Sequence, residues 1–214
     1  MANDNLLSVF DFETTGLDPT NDRIVEVGIV TCRISDGSVI EKYGELVSGI
    51  TVPDDAARIH GLTTEKLNRD GMPWRVVRKR MVKRLERVPN WCAYNADFDV
   101  SFIESHTDLR RRDFRIIDPL EIVYSYVPAD RLEKKNTRGL SNVARSFGVS
   151  LEHAHRAVAD ADATREVLFR ILEETQLSID EWFCDSRPRL GPLLWGEDPF
   201  EAIYIPRPNA YKKG

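Results

Sequence analysis

Two carboxylates, Asp11 and Glu13, stand two residues apart at the end of the short apolar run 6–10. Side chains of an extended strand alternate between faces, so both acids point the same way. Adjacent anions repel, and a cation between them removes the penalty; hard oxygen donors of this kind select Mg²⁺ or Mn²⁺. A solvated strand end is the competing reading when Asp-x-Glu stands alone. More acids occur in Tyr94-Asn95-Ala96-Asp97-Phe98-Asp99, where a strand hands over to a helix, and in His155-Arg156-Ala157-Val158-Ala159-Asp160, with Asp162 beyond. Residues two apart on a helix differ by about 200° in direction. Asp97 and Asp99 therefore cannot both face one centre, nor can Asp160 and Asp162.

The elements that must position these residues follow from apolar periodicity and turn chemistry. Residues 6–10 read as a strand running into the Gly/Pro turn of Gly16-Leu17-Asp18-Pro19. A β-branched run over 24–31 reads as a second strand. Asp36-Gly37 then turns the chain into a third strand over 39–47, making an antiparallel hairpin. Pro73 suits the first turn of a helix in which Trp74, Val77, Met81, Leu85 and Val88 recur at helical spacing. Further strands are expected over 91–94 and 114–117, and helices over 98–105, 120–126 and 139–147. A long helix follows, with Ala157, Ala161, Thr164, Leu168, Ile171 and Leu172 on one small-to-apolar face. This alternation indicates an α/β layer architecture. One domain is expected over residues 1–175, with a C-terminal extension over 176–214 for docking or dimerisation.

Composition limits the function classes. At 214 residues, 42% apolar and 30% charged, the chain is globular rather than fibrous or wholly disordered. It has no apolar stretch long enough to span a bilayer and no basic segment before its first apolar run, so neither membrane insertion nor secretion is expected, and the location is cytoplasmic. Cys32, Cys92 and Cys184 are far apart, without Cys-x-x-Cys or zinc-ligand spacing, and read as reduced structural thiols. A net charge of −5 excludes a non-specific nucleic-acid coat but not a local grip.

Taken together, Asp11-Phe12-Glu13-Thr14-Thr15-Gly16-Leu17, Asn95-x-x-Phe98-Asp99, and His155 with Asp160 five residues on resemble the three motifs of the DEDDh (DnaQ-like) 3′–5′ exonucleases. That family includes the proofreading epsilon subunit of bacterial replicative polymerase and the ribonuclease T group. Ile59-His60-Gly61-Leu62-Thr63 is a further family-like segment. The resemblance covers residues from about 6 to about 172. It implies a ribonuclease-H-like fold: a central mixed five-stranded sheet with one antiparallel strand, flanked by helices, with the site at the carboxyl edge.

By the same resemblance, Asp11, Glu13, Asp99 and Asp160 would hold two Mg²⁺ or Mn²⁺ ions and His155 would be the general base. Phosphodiester hydrolysis needs an aligned nucleophile and charge stabilisation on the attacking and leaving oxygens, which paired divalent ions supply. The imidazole of His155 can accept the proton of an acidified water. Asp97 is then expected as a helix N-cap and Asp162 as a solvated side chain.

For substrate, Thr14, Thr15, Gly16 and Leu17 form the loop beyond the acid pair, Gly16 permitting close backbone approach and Leu17 offering an apolar face to a base. The family cradles the 3′-terminal nucleotide with this loop together with His60 and Phe98. Asn95 would contribute as well, or else hold its strand–helix turn by side-chain hydrogen bonds. Lys134, Lys135 and Arg138, in the basic loop before the third motif, are the first choice for a phosphate track; the basic helix 75–87 and Arg110-Arg111-Arg112 are others.

The expected partner is the 3′ end of single-stranded DNA or a mismatched 3′ terminus. RNA is the alternative substrate, and a non-catalytic polymerase-accessory module the alternative class. No polymerase domain fits in this length. Gln176-Leu177-Ser178-Ile179 resembles the opening of a sliding-clamp-binding peptide, although Trp182 and Phe183 stand later than that pattern places its aromatic. Clamp, polymerase and a second copy of the chain are thus the protein partners considered.

Overall fold

The structure, a computed structural model, describes residues 4–135, 137–151, 155–183, 194–195 and 202–203. Its centre is a sheet in the order β4-β3-β2-β1-β5-β6. The strands are β1 (Leu6–Thr14), β2 (Ile24–Arg33), β3 (Val39–Ser48), β4 (Met72–Pro73), β5 (Asn90–Cys92) and β6 (Arg115–Ile117). β2 alone runs antiparallel to its neighbours; β1, β5 and β6 are mutually parallel, and so are β3 and β4. This is the expected ribonuclease-H-like sheet with one strand more than the expected five. The extra strand, β4, has two residues and contains proline, so it carries no period to read.

Helices cover both faces of the sheet, which is why β1 reads as a nearly continuous apolar run rather than an alternating one. On one face Leu7, Val9, Cys32, Cys92 and Ile117 pack against α5 (Pro119–Tyr126), α6 (Leu140–Ser146) and α7 (Ala157–Thr175). On the other, Phe10, Phe12, Val27 and Ile29 pack against α3 (Trp74–Leu85) and α4 (Ala96–His106). Trp91 in β5 stacks on Phe114 and meets Phe10 edge-on, fixing the sheet centre. Full burial of such side chains contributes roughly 1.5–3 kcal/mol each.

Several boundaries differ from expectation. α1 (Asp54–His60) and α2 (Thr64–Asp70) are too short for a visible helical period, and they are delimited by Gly61 at φ 67° and by the Thr63 hydroxyl accepting the Lys66 N–H. Pro73 is the N-cap of α3 rather than part of its first turn, and Val88 lies beyond the helix although it is buried. Past Thr175 the packing continues: Ile179 and Trp182 of α8 (Ile179–Trp182) and then Phe183 join the core, and Arg115 lies over the Phe183 ring at 4.0 Å. The body therefore extends beyond the boundary expected at 175, because Trp182 and Phe183 cover apolar surface that α5 and α7 leave open. Leu177 packs on the same core. Cys32 and Cys92 are buried free thiols, and Cys184 lies outside the described residues. Among the described residues no helix is long and apolar enough to cross a membrane.

Candidate active site

Three elements deliver the four acids to the carboxyl end of β1: β1 itself, α4 and α7. Asp11 and Glu13 share a face of that strand, as the alternation requires. Asp99, in the first turn of α4, accepts the Phe12 N–H at 3.0 Å and is thereby fixed to the β1 backbone between them. Asp160, in the first turn of α7, accepts the His155 N–H at 2.9 Å. Ligand atoms of Glu13, His155 and Asp160 lie within 4.8 Å of one another.

Close approach of α7 depends on glycine. Gly28 of β2 lies opposite both Asp11 and Gly44 of β3 in the ladder. A Cβ on Gly28 would sit 2.1 Å from the Ala157 carbonyl carbon, and one on Gly44 would sit 2.5 Å from Val158 Cγ2. Two bare positions side by side let the start of α7 rest on the strand backbones, bringing Asp160 to β1.

The electrostatics are those of an acid cluster without cations. Burial first, then the charges of Asp99, Asp160 and Glu13, push Asp11 well above the usual carboxylate range. Glu13 is pushed up to about 9 by burial and then by Asp160 and Glu26, with Arg156 opposing. Asp160 is raised to about 7, chiefly by burial. Asp99 is raised by burial against the Phe12 N–H. Among the described residues none of the four has a salt bridge. A set of buried and half-buried hard oxygen donors, in which Asp99 and Asp160 raise the proton affinity of Asp11 and Glu13, fits divalent cations such as Mg²⁺ or Mn²⁺.

The other expected residues divide. Gly16 is required where it stands, since a Cβ would meet the Asp22 carboxylate at 2.5 Å. Thr15 donates to Asp22 and Thr14 to the Gly16 carbonyl, so the loop is held by its own side chains, with Leu17 partly exposed. His60 is buried; its Nδ1 accepts the Leu62 N–H at 3.1 Å, burial lowers its pKa, and it lies close enough to Glu26 and His155 to feel both. Phe98 is partly exposed and packs on Phe102. His155 is exposed, at φ 64°.

Asn95 adopts φ 63°, but its side chain does not hold the turn, and its Oδ1 is buried without a partner. Asp118 holds the turn instead, accepting the Asn95 and Ala96 N–H groups while capping α5. Asp97 is not the N-cap of α4, because that position falls on Asn95, and it pairs with Arg111. Asp162 is held between Lys42 and Arg165 rather than solvated.

Lys134 and Lys135 are exposed, and the Arg138 guanidinium lies 4.7 Å from the Tyr124 ring. Four of the seven basic residues in the segment 75–87 are paired: Arg78 with Asp108, Arg80 with Glu45, and Arg84 and Arg87 with Glu41. Arg110 is bound to the backbone carbonyls of Glu104, Thr107 and Leu109.

Sequence reading missed Glu26, Gly28, Gly44, Asp118 and Arg156. A single glutamate inside the β-branched run of β2 was the available signal, since a charge in a strand covered on both faces needs a partner.

Comparisons with known proteins agree with this geometry. A family model described as exonuclease, RNase_T, matches residues 8–168. The chain is 32% identical over 165 residues to the DNA polymerase III PolC-type of Clostridium perfringens, covering 75% of this chain and 11% of that protein. To the PolC-type polymerase of Streptococcus agalactiae it is 28% identical over 214 residues, 95% of this chain and 13% of that protein. It thus spans only a small fraction of these curated relatives. Among solved structures, the zinc-bound complex of E. coli exonuclease I with single-stranded DNA is similar at a TM-score of 0.67 and 20% identity, over 84% of this chain and 43% of that one. Exonuclease X in complex with 5′-overhanging duplex DNA is similar at 0.64 and 19% identity, over 85% and 99%. At such identities the shared property is the fold.

Proposed function

This chain belongs to the RNase_T exonuclease family, and on that premise we propose that it is a metal-dependent 3′–5′ exonuclease acting on single-stranded DNA or mismatched 3′ termini. The products are nucleoside 5′-monophosphates. The observation that carries this reading is that Asp99 and Asp160 lie close enough to Asp11 and Glu13 to raise their proton affinity, with none of the four in a salt bridge among the described residues, while Glu13 and Asp160 share one spot with His155.

Asp11, Glu13, Asp99 and Asp160 would hold two Mg²⁺ or Mn²⁺ ions. Bound there, the ions would activate water and stabilise charge on the attacking and leaving oxygens. Asp99 is pre-set by the Phe12 N–H, and Asp160 anchors the backbone of His155 as well as lining the site. His155, exposed beside Glu13 and Asp160, accepts the proton of the attacking water. The self-braced loop 14–17, with His60, Asn95 and Phe98, receives the terminal nucleotide; the orphaned Asn95 Oδ1 gives that pocket an acceptor. Lys134, Lys135 and Arg138 track the phosphates upstream. DNA is favoured over RNA because the polymerase relatives and the exonuclease I and exonuclease X complexes are named for DNA.

The test is a time course on matched 5′-labelled single-stranded DNA and RNA with Mg²⁺, Mn²⁺ or EDTA, with Asp11→Ala as control. A metal-dependent ladder shortening from the 3′ end of DNA is expected. Preference for RNA would overturn the substrate assignment, and absence of hydrolysis on both would overturn the enzymatic one.

A further inference from the structure

Glu26 is a fifth carboxylate at this site, and its bonding differs from that of the other four. It is buried on β2 directly across the ladder from Glu13. Its Oε1 accepts from Arg156 Nη2 at 2.8 Å and Nε at 3.1 Å, and its Oε2 accepts from Nε at 3.2 Å and from the Ala157 N–H at 3.2 Å. Three N–H donors, with the Arg156 Nε–H shared between both oxygens, thus occupy most of the roughly four lone-pair positions of the Glu26 carboxylate, and a guanidinium already matches its charge, so it is a poor candidate for a metal ligand. By contrast, Asp99 and Asp160 each have one such bond from a neighbouring segment, and Glu13 and Asp11 have none from side chains or loops among the described residues.

The same carboxylate also replaces a missing helix cap. Arg156 is the N-cap of α7 and makes no side-chain cap bond, so the first turn would begin with unsatisfied N–H groups. Glu26 reaches across from β2 to the first of them, placing negative charge at a helix N-terminus. Asp160 ties the His155 N–H from the other side. His155, in the left-handed region, thus has its own N–H held by Asp160 of α7, while the two residues that follow it are held by Glu26 of the sheet. Arg156, held by Glu26, is also the cation that lowers the proton affinity of Glu13.

We propose that Glu26 and Arg156 act as a positioning pair that sets His155 and the first turn of α7 over the carboxylate cluster, so that Glu26 is needed for turnover without binding metal. This rests on the exonuclease reading of the site. In Glu26→Gln, with charge removed and shape kept, kcat falls by at least about tenfold while KM for a single-stranded oligonucleotide and Mn²⁺ affinity change by less than that factor. Arg156→Lys keeps the charge but loses the fork, and falls less than Arg156→Gln. The double variant Glu26→Gln/Arg156→Gln is no worse than the poorer single one, since both act through one contact. Independently of activity, the ¹⁵N–¹H signals of His155 and Ala157 shift in each single variant at a temperature well below melting.

A Glu26→Gln protein with a smaller kcat loss, a Mn²⁺ affinity weakened beyond tenfold, unmoved His155 and Ala157 signals, or additive losses in the double variant would each overturn the pair. Wild-type protein without metal-dependent hydrolysis would instead overturn the function it serves, and the NMR outcome separates the two.

Discussion

The carboxyl end of β1 and the outer face of β3 are both rich in charge, yet they are built on opposite principles. At β1, four buried or half-buried acids lie together with no salt bridge to any of them among the described residues, and Glu13 is held at about 9. At β3, Glu41 and Glu45 meet Arg80 and Arg84 of α3 and Arg87 just beyond it, and Arg84 lies 3.9 Å over the Tyr43 ring. The second region spends its charge on itself, while the first keeps its charge for a ligand. A basic run legible in sequence is therefore weaker evidence for nucleic-acid binding than an acid pair, because partners from a distant strand can cancel it.

The sharpest way to break this contrast is to remove one charge from each region. Asp160→Asn is expected to lose about 10³-fold or more in single-turnover cleavage, while its metal-free melting temperature rises because a repelled buried charge is gone. His155→Ala should lose about 10²–10⁴-fold with Mn²⁺ affinity retained; a near-normal rate would remove it from the mechanism.

Next comes pH. Glu13 and Asp160 have folded pKa values of about 9 and about 7, above their unfolded values. The native state thus keeps protons that the unfolded chain releases, and the contribution to stability is full below about pH 4, then declines as pH rises through 7 toward 9. Melting in EDTA at pH 5, 7 and 9 should show that fall. Saturating Mg²⁺ or Mn²⁺, which binds the ionised form, should oppose it and add about 5–10 °C near neutrality. No metal-dependent shift would contradict the centre.

A smaller effect is expected at the rim. Neutralising Lys134, Lys135 and Arg138 should flatten the salt dependence of single-strand binding by about two units of slope, and an unchanged slope would discard that track. The smallest belongs to the paired face. Arg80→Gln should change stability by about 1 kcal/mol or less and leave cleavage untouched, and a large activity loss there would erase the distinction between the two regions.

Much of this was legible because it is local. Strand alternation put Asp11 and Glu13 on one face, helical spacing excluded pairing Asp99 with Asp97, and Gly37 and Pro73 marked a turn and a helix start. α1, α2 and β4 were not legible, being shorter than the period that would reveal them. Nor were the N-cap of α4, expected at Asp97 and found at Asn95, or the packing of Trp182 and Phe183, which depends on apolar surface left by remote helices.

By itself the sequence determined the chemistry on offer: which side chains carry charge, how far apart they stand along the chain, and which neighbours must face together. Only the tertiary structure decided which charges meet partners. Glu26 reaches Arg156 across 130 positions, Asp118 holds a turn 22–23 positions away, and Gly28 admits α7 because of what packs on it. Pairing energy depends on distance in space, and no local period encodes that distance.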